Sequence, residues 1–529
     1  MKKNKLAVLP LLVGIAFLIY SWFESYPLSI DYPGDFVFNH ISFFYWLSLP
    51  LILGSLYVLG VFSKNHSFKC LVSIAVILTI YSISFFYSSM PTADSQFFRG
   101  LTEYFLNTNK LDASYISHYY YQWPSYFLLA GTVTSLSGLN VIGFEFLFYA
   151  IIGVLLSMTL YIYASKYFKN GAFFAVISFF ISMYWFLNYQ SVPFSFALAL
   201  TFLLFMFELQ KKSAPALLII LVLFFCISFT HFFVSLFFIF YLILRSIIGR
   251  SKQYAKLSLM TLTIYLVTQL SFTSWNWIKF NLGLLVNSSP EYGVIVETTL
   301  KPIIIPFDIL AQNISRTVTI VTIAICLFSY VFLVIKRKFR VVDTAILLSG
   351  LAYLALGFIF YTLGSRALTI FFIPICLGVA FLFETKFRIY IKGIFLVLLV
   401  LWVFVPIHTS YNSYIGEFIP FQTYEVSNAE NFLVNHYNWT TPGLMLVHAP
   451  IRVYLSSVLD PTQVKTTFPE DISSVLFPEP KEYNGIFYTV GLGNDFLIYN
   501  YTLDELVSEG QLSVLYTNGL SEIAIKSSK

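Results

Sequence analysis

Residues 90–99 read Met90-Pro91-Thr92-Ala93-Asp94-Ser95-Gln96-Phe97-Phe98-Arg99, a polar break in a chain that is otherwise oily. Upstream of it, apolar stretches at 6–23, 41–62 and 70–88 each approach the ~20 residues that cover the hydrocarbon of a bilayer. Downstream, similar stretches recur at 142–163, 172–187, 194–209, 215–230, 231–247, 257–272, 317–335, 343–362, 367–384 and 390–407. The whole chain is 58% hydrophobic and 11% charged, where soluble domains carry about 25% charged residues. These observations define an α-helical polytopic membrane protein of about thirteen spans. Two features leave the count open: Leu128–Leu139 also reads as a short re-entrant piece, and around Phe229–Phe240 only His231 separates two spans.

Basic residues fall in every second connection: Lys64 and Lys69, Lys166 and Lys169, Lys211 and Lys212, Arg245 to Lys256, Lys336 to Arg340, and Lys386 with Arg388. Cytoplasmic connections carry such an excess, so the expected amino terminus is cytoplasmic and the segment around Asp94 faces outward. Trp22, Trp46, Trp123, Trp185, Trp275 and Trp277 collect near the expected outer ends, where indoles favour the interface. The expected location is the plasma membrane, with many passes and the carboxyl terminus outside. The first apolar stretch reads as a retained span, because no small-residue cleavage site follows it. The net charge of +5 is accounted for by the cytoplasmic flanks and implies no nucleic-acid partner. Cys70, Cys226, Cys326 and Cys376 lie in or beside spans, so neither a disulfide framework nor a thiolate metal site is suggested.

The expected organisation is a transmembrane domain over residues 1–407, with long outer loops at 89–140 and 273–316, followed by a soluble extracellular α/β domain over 408–529. In the second part the apolar runs shorten and acids outnumber bases. Val426, Ala429, Leu433 and Tyr437 share a helical face, and Ile451–Val458 reads as a helix. Leu444–Val447, Ile486–Val490, Phe496–Tyr499, Leu512–Tyr516 and Ile523–Ile525 read as strands. Thr502-Leu503-Asp504-Glu505 has the form of a helix capping box.

Chemistry-bearing residues concentrate in the outer loops. After Pro91, the residues Phe97, Phe98, Leu101 and Phe105 make an apolar stripe, so the segment reads as an amphipathic helix lying on the membrane. Asp94 near its start has three readings: an N-cap that accepts a backbone N–H, a general base for an acceptor hydroxyl, or a ligand for a divalent metal, of which the sequence gives no further indication. Glu103, His118, Tyr120 and Trp123 follow in an aromatic and polar cluster. Aromatic faces suit both sugar rings and headgroup anchoring. Glu297 lies in the second outer loop. His231 stands at the outer junction of two spans, as a turn residue or as a ligand facing a cavity. Leu363-Gly364-Ser365-Arg366-Ala367 reads as an outer connection, where Arg366 with Ser365 suits a phosphate at headgroup level or snorkels to the headgroups. Glu24, Asp31, Asp35 and Glu145 read as solvated. Alternating-access carriers keep polar groups near the bilayer midplane. Their collection at the outer boundary favours an enzyme over an exporter or flippase of a polar or lipid-linked glycan.

This layout resembles the C-superfamily of polytopic membrane glycosyltransferases (GT-C). The features that carry the resemblance are the acidic outer loop with Asp94, the Ser365-Arg366 connection, Thr230-His231 and an outer carboxyl-terminal domain. It implies an inverting transferase that moves a sugar from a polyprenyl-phosphate donor to a glycan, lipid or protein acceptor. Asp94 is then the catalytic residue. Arg366, Ser365 and His231 bind the donor phosphate, and Glu103, His118, Tyr120, Trp123 and Glu297 bind acceptor or sugar. No metal ligand set is indicated. The superfamily loop generally follows the first helix, whereas two further spans precede it in this chain. The paired acidic motif is reduced to Asp94-Ser95-Gln96, and the Trp-Trp-Asp-Tyr-Gly signature of oligosaccharyltransferases is absent from the tail.

Overall fold

The computed structural model describes residues 2–27, 40–86, 93–111, 120–183, 192–208, 214–272, 306–336, 340–359 and 361–404, together with six strands between 443 and 526. Fifteen α-helices are described: α1 Lys2–Ser25, α2 Phe43–Phe62, α3 His66–Ile80, α4 Ala93–Thr108, α5 Ser125–Ser137, α6 Val141–Ser165, α7 Ala172–Met183 and α8 Pro193–Glu208. They continue with α9 Ala214–Ser228, α10 Phe232–Gly249, α11 Lys252–Phe272, α12 Pro306–Ile335, α13 Val341–Ile359, α14 Tyr361–Phe383 and α15 Arg388–Leu401.

Among the described residues, five helices are long and apolar enough to cross a membrane: Ala7–Ser25, Phe43–Phe62, Val141–Ser165, Phe232–Gly249 and Asn313–Ile335. Six shorter apolar helices accompany them. The chain is a helical membrane protein. Each expected apolar stretch coincides largely with a helix, but several helices are short. α7, of 12 residues, extends about 18 Å at ~1.5 Å per residue. Every one of its residues is buried, which is how a helix apolar on all sides behaves when protein surrounds it. α14, α6, α12 and α3 form that surround.

Close helix approach depends on glycine. A Cβ at Gly378 of α14 would collide with the backbone of Ser329 and Tyr330 on α12, and one at Gly171 would collide with the Ala380 backbone of α14. Small residues admit such approaches, from which dispersion contacts between membrane helices gain. At the end of the bundle where α6 finishes and α13 starts, the buried Asp343 carboxylate accepts the Tyr163 hydroxyl and, at 3.1 Å, the Arg340 backbone N–H. The Arg340 guanidinium lies 4.2 Å from the Tyr167 ring centroid. A buried carboxylate requires this kind of satisfaction, because desolvation is costly.

In the tail, β1 Gly443–Leu446, β2 Gly485–Val490, β6 Ser521–Lys526 and β5 Leu512–Thr517 form one sheet in the order β1-β2-β6-β5. β1 runs parallel to β2, and the other pairings are antiparallel. β3 Leu497–Ile498 pairs with β4 Tyr501–Thr502. Thr502, the expected capping residue, ends β4 with its backbone paired to Leu497, and the helix expected after it lies outside the described residues. The helices expected around Val426–Tyr437 and Ile451–Val458 lie outside the described residues.

Candidate functional site

The polar insert builds a cap over one end of the bundle. α4 starts at Ala93, two residues after Pro91, and Asp94 is its second residue. The Asp94 side chain lies outside what is described. The apolar stripe is present, but it faces protein rather than lipid. Phe98 and Leu101 are buried, and Phe97 and Phe105 pack on the core. The surface-lying helix expected from sequence is thus corrected, because α5, α6 and the tyrosines after it supply an apolar cover nearer than a bilayer. On the same helix Arg99, 3% exposed, pairs through Nε with Glu103 Oε1 at 3.7 Å.

Tyr120 to Trp123 form the return of this insert. The Tyr120 ring meets Phe98 edge-on at 4.6 Å and Trp123 at 5.9 Å. The Tyr121 hydroxyl donates to the Leu101 carbonyl. Burial, with the neighbouring Tyr104, pushes the Tyr121 hydroxyl well above its usual pKa, so it remains a donor. Trp123 Nε1 donates to Gln269 Oε1 at 3.2 Å, and Gln269 Nε2 donates to the Ser228 carbonyl at 3.3 Å. The Ser125 N–H reaches the Phe229 carbonyl at 3.1 Å. The insert is therefore fastened to the α9–α10 turn and to the end of α11.

His231 occupies that turn. It is the N-cap residue of α10, with extended backbone (φ −159°, ψ 118°), and its N–H bonds the Ile227 carbonyl at 2.9 Å. The imidazole is 5% exposed and meets the Phe194 ring at 5.5 Å. Its neighbour Phe232 meets Trp123 edge-on at 6.4 Å. The structure thus gathers Tyr120, Trp123 and His231 at one end, with Glu103 on the helix that packs against them.

Two expectations are corrected. The Ser365-Arg366 segment is helical, within the second turn of α14, and not a connection; Gly364 is accommodated inside the helix. The side chains of Ser365 and Arg366 are outside the described set. Glu145, read as solvated, is fully buried on α6. On the same helix Phe144 and Phe148 meet the Tyr126 ring at 6.1 and 5.5 Å. His118 and Glu297 lie outside the described residues. Among the described residues, no group of three or more His, Cys, Asp or Glu side chains is placed to hold a metal ion.

Gln269 and Arg99 are residues whose part in this end the sequence reading does not assign. An amide within an apolar span, as Gln269 is, signals a specific partner, and the span 257–272 contains that signal. No protein-family model matches this chain, and no curated protein matches it either.

Proposed function

We propose that the chain is an inverting membrane glycosyltransferase that takes a sugar from a polyprenyl-phosphate donor at the outer leaflet. In this reading the chain crosses the membrane thirteen times from a cytoplasmic amino terminus. Residues 408–529 form an extracellular α/β domain beside the acceptor. The acceptor hydroxyl oxygen attacks the anomeric carbon and its proton passes to the Asp94 carboxylate. The bond from that carbon to the phosphate oxygen breaks, and its electron pair leaves with the polyprenyl phosphate. A positioned general base contributes about 10²–10⁴-fold. Arg366, with Ser365 and His231, stabilises charge growing on the leaving phosphate, since cations aimed at developing charge act most strongly where water is excluded. Tyr120 and Trp123 offer ring faces to sugar, with Glu103, His118 and Glu297 as polar contacts.

The observation that carries the reading is the fastening of an acid-bearing insert over His231 and Gln269 at one end of the bundle. Among the described residues, charged side chains of the apolar helices lie near the ends of their apolar stretches rather than at mid-span. That distribution suits chemistry at a membrane boundary better than passage through it.

The test is to incubate the purified full-length protein with radiolabelled polyprenyl-phosphate sugars and follow release of label from the lipid. Release or transfer that depends on the protein supports the proposal. Movement of intact labelled donor across vesicles, with no bond broken, replaces it with an exporter or flippase.

A further inference from the structure

A groove between α12 and α15 is left open where the neighbouring helices close up. Phe332 of α12 meets Phe387, the residue before α15, at 6.0 Å between ring centroids. Toward the start of α12 the two helices leave a groove of about 700 Å³ between them. Sites that take small organic ligands enclose about 300–1,000 Å³, so this is more than a surface scallop. Among its lining residues Val318 and Leu398 are buried, Val321 and Val397 are exposed, and Asn313 and Thr317 are polar.

Gly393 of α15 lines the same groove. A glycine inside a helix costs about 1 kcal/mol relative to alanine. Gly378 and Gly171 stand where a Cβ would strike the backbone of a neighbouring helix, so close packing accounts for them, whereas a Cβ at Gly393 would meet nothing within 4 Å. The missing side chain at Gly393 therefore deepens the groove and brings no helices together. Left empty, an apolar groove forfeits dispersion contacts along its walls, which favours an apolar occupant.

The length of the groove selects that occupant. Its lining on α15 runs from Ile389 to Leu401, a rise of about 18 Å at ~1.5 Å per residue. Half of a hydrocarbon core ~30 Å thick is about 15 Å, the reach of one acyl chain in one leaflet, whereas a spanning helix of a second copy needs the whole thickness. On α12 the lining begins at Asn313, where the apolar span begins, and ends at Val321, so the groove opens at that membrane face. Arg316 stands between Asn313 and Thr317 at this face, exposed, and forms no ion pair among the described residues. Arg388, beside the other end of the groove, is turned toward α14, with its guanidinium 4.9 Å from the Phe383 ring centroid.

We infer that the groove holds one acyl chain of a glycerophospholipid, with the phosphate of that lipid at Arg316. A guanidinium presents a planar fork to two phosphate oxygens, and an arginine at a helix end reaches headgroup level. The inference rests on the chain lying in a membrane and not on glycosyl transfer.

The test is native mass spectrometry of the purified full-length protein in neutral detergent with added phosphatidylglycerol. The parent should retain one phospholipid. Gly393→Phe, which places a ring in the groove, and Arg316→Gln, which removes the charge at its mouth, should each retain it about tenfold more weakly. Gly393→Ala, which leaves most of the groove open, should retain it as the parent does. The inference is overturned if the parent retains no phospholipid, or if either variant, folded by its unfolding midpoint, retains it as the parent does; should Gly393→Phe fail to fold, Arg316→Gln decides. Displacement of the phospholipid by added polyprenyl phosphate would assign the groove to that lipid instead, and a dimer broken by Gly393→Phe would assign it to a second copy; either result overturns the inference.

Discussion

Trp123 donates its indole N–H to the side-chain oxygen of Gln269 across 146 positions of sequence, and both residues are buried. That bond joins the polar insert to a helix on the far side of the α9–α10 turn. Trp123→Phe keeps the ring contacts but leaves Gln269 short of a donor, which costs about 1–3 kcal/mol when the group stays dry. The variant should unfold at lower temperature in detergent. Pairing it with Gln269→Leu should recover part of the loss, because neither member of the indole–amide bond is then left alone, while the Ser228 carbonyl still loses its Gln269 donor. Strict additivity of the two losses would show that the bond is not made.

Tyr163 and Asp343 make a second buried relationship, 180 positions apart. Tyr163→Phe removes a hydroxyl from a carboxylate that is 3% exposed. Hydrogen bonds to charged groups are worth about 1.5–3 kcal/mol, so a clear drop in unfolding midpoint is expected. Asp343→Asn should also lose stability, since an amide has one accepting oxygen where the carboxylate uses both, for Tyr163 and for the Arg340 N–H. Chemical or thermal unfolding of both variants measures these losses.

Helix crossing at Gly378 gives a third prediction. Alanine there would press its Cβ into the α12 backbone at Ser329 and Tyr330, and backbone cannot rotate away. Overpacking of this kind costs about 1–3 kcal/mol. Gly393→Ala, where a Cβ meets nothing within 4 Å, is the control and should leave the midpoint unchanged or slightly raised.

For the proposed donor site, Arg366→Ala should insert and fold normally while using donor poorly. Losing one charge-stabilising group costs about 10²–10³-fold in turnover. An unchanged dependence of rate on donor concentration, with unchanged turnover, would remove Arg366 from the site.

The positions of the apolar helices were legible because burial in lipid and burial in protein impose the same apolar composition. For that reason their lengths were not. α7 is as apolar as a span, yet it is shielded by neighbours and need not reach either interface. Leu128–Leu139 carried the signal of a short piece, and α5, Ser125–Ser137, is one. The stripe of Phe97, Phe98, Leu101 and Phe105 correctly marked one face of α4, but periodicity does not say whether lipid or protein covers that face. Glu145 was misread because a carboxylate near a membrane boundary is ordinarily wet, whereas tertiary packing, which no local pattern announces, buries this one on α6. Ser365-Arg366 was misread as a connection because Gly364 and two polar residues resemble a break, whereas one glycine costs a helix only about 1 kcal/mol. The linkage of Trp123 to Gln269 is a long-range contact, and no local pattern announces its partner.

The most direct measurement compares release of label from a radiolabelled polyprenyl-phosphate sugar by the parent protein and by Asp94→Asn, matched for insertion and for unfolding midpoint. The account predicts protein-dependent release by the parent and a loss of at least about 10²-fold in the variant, the contribution of a general base. Full release by Asp94→Asn, or none by the parent with any donor sugar, would contradict it.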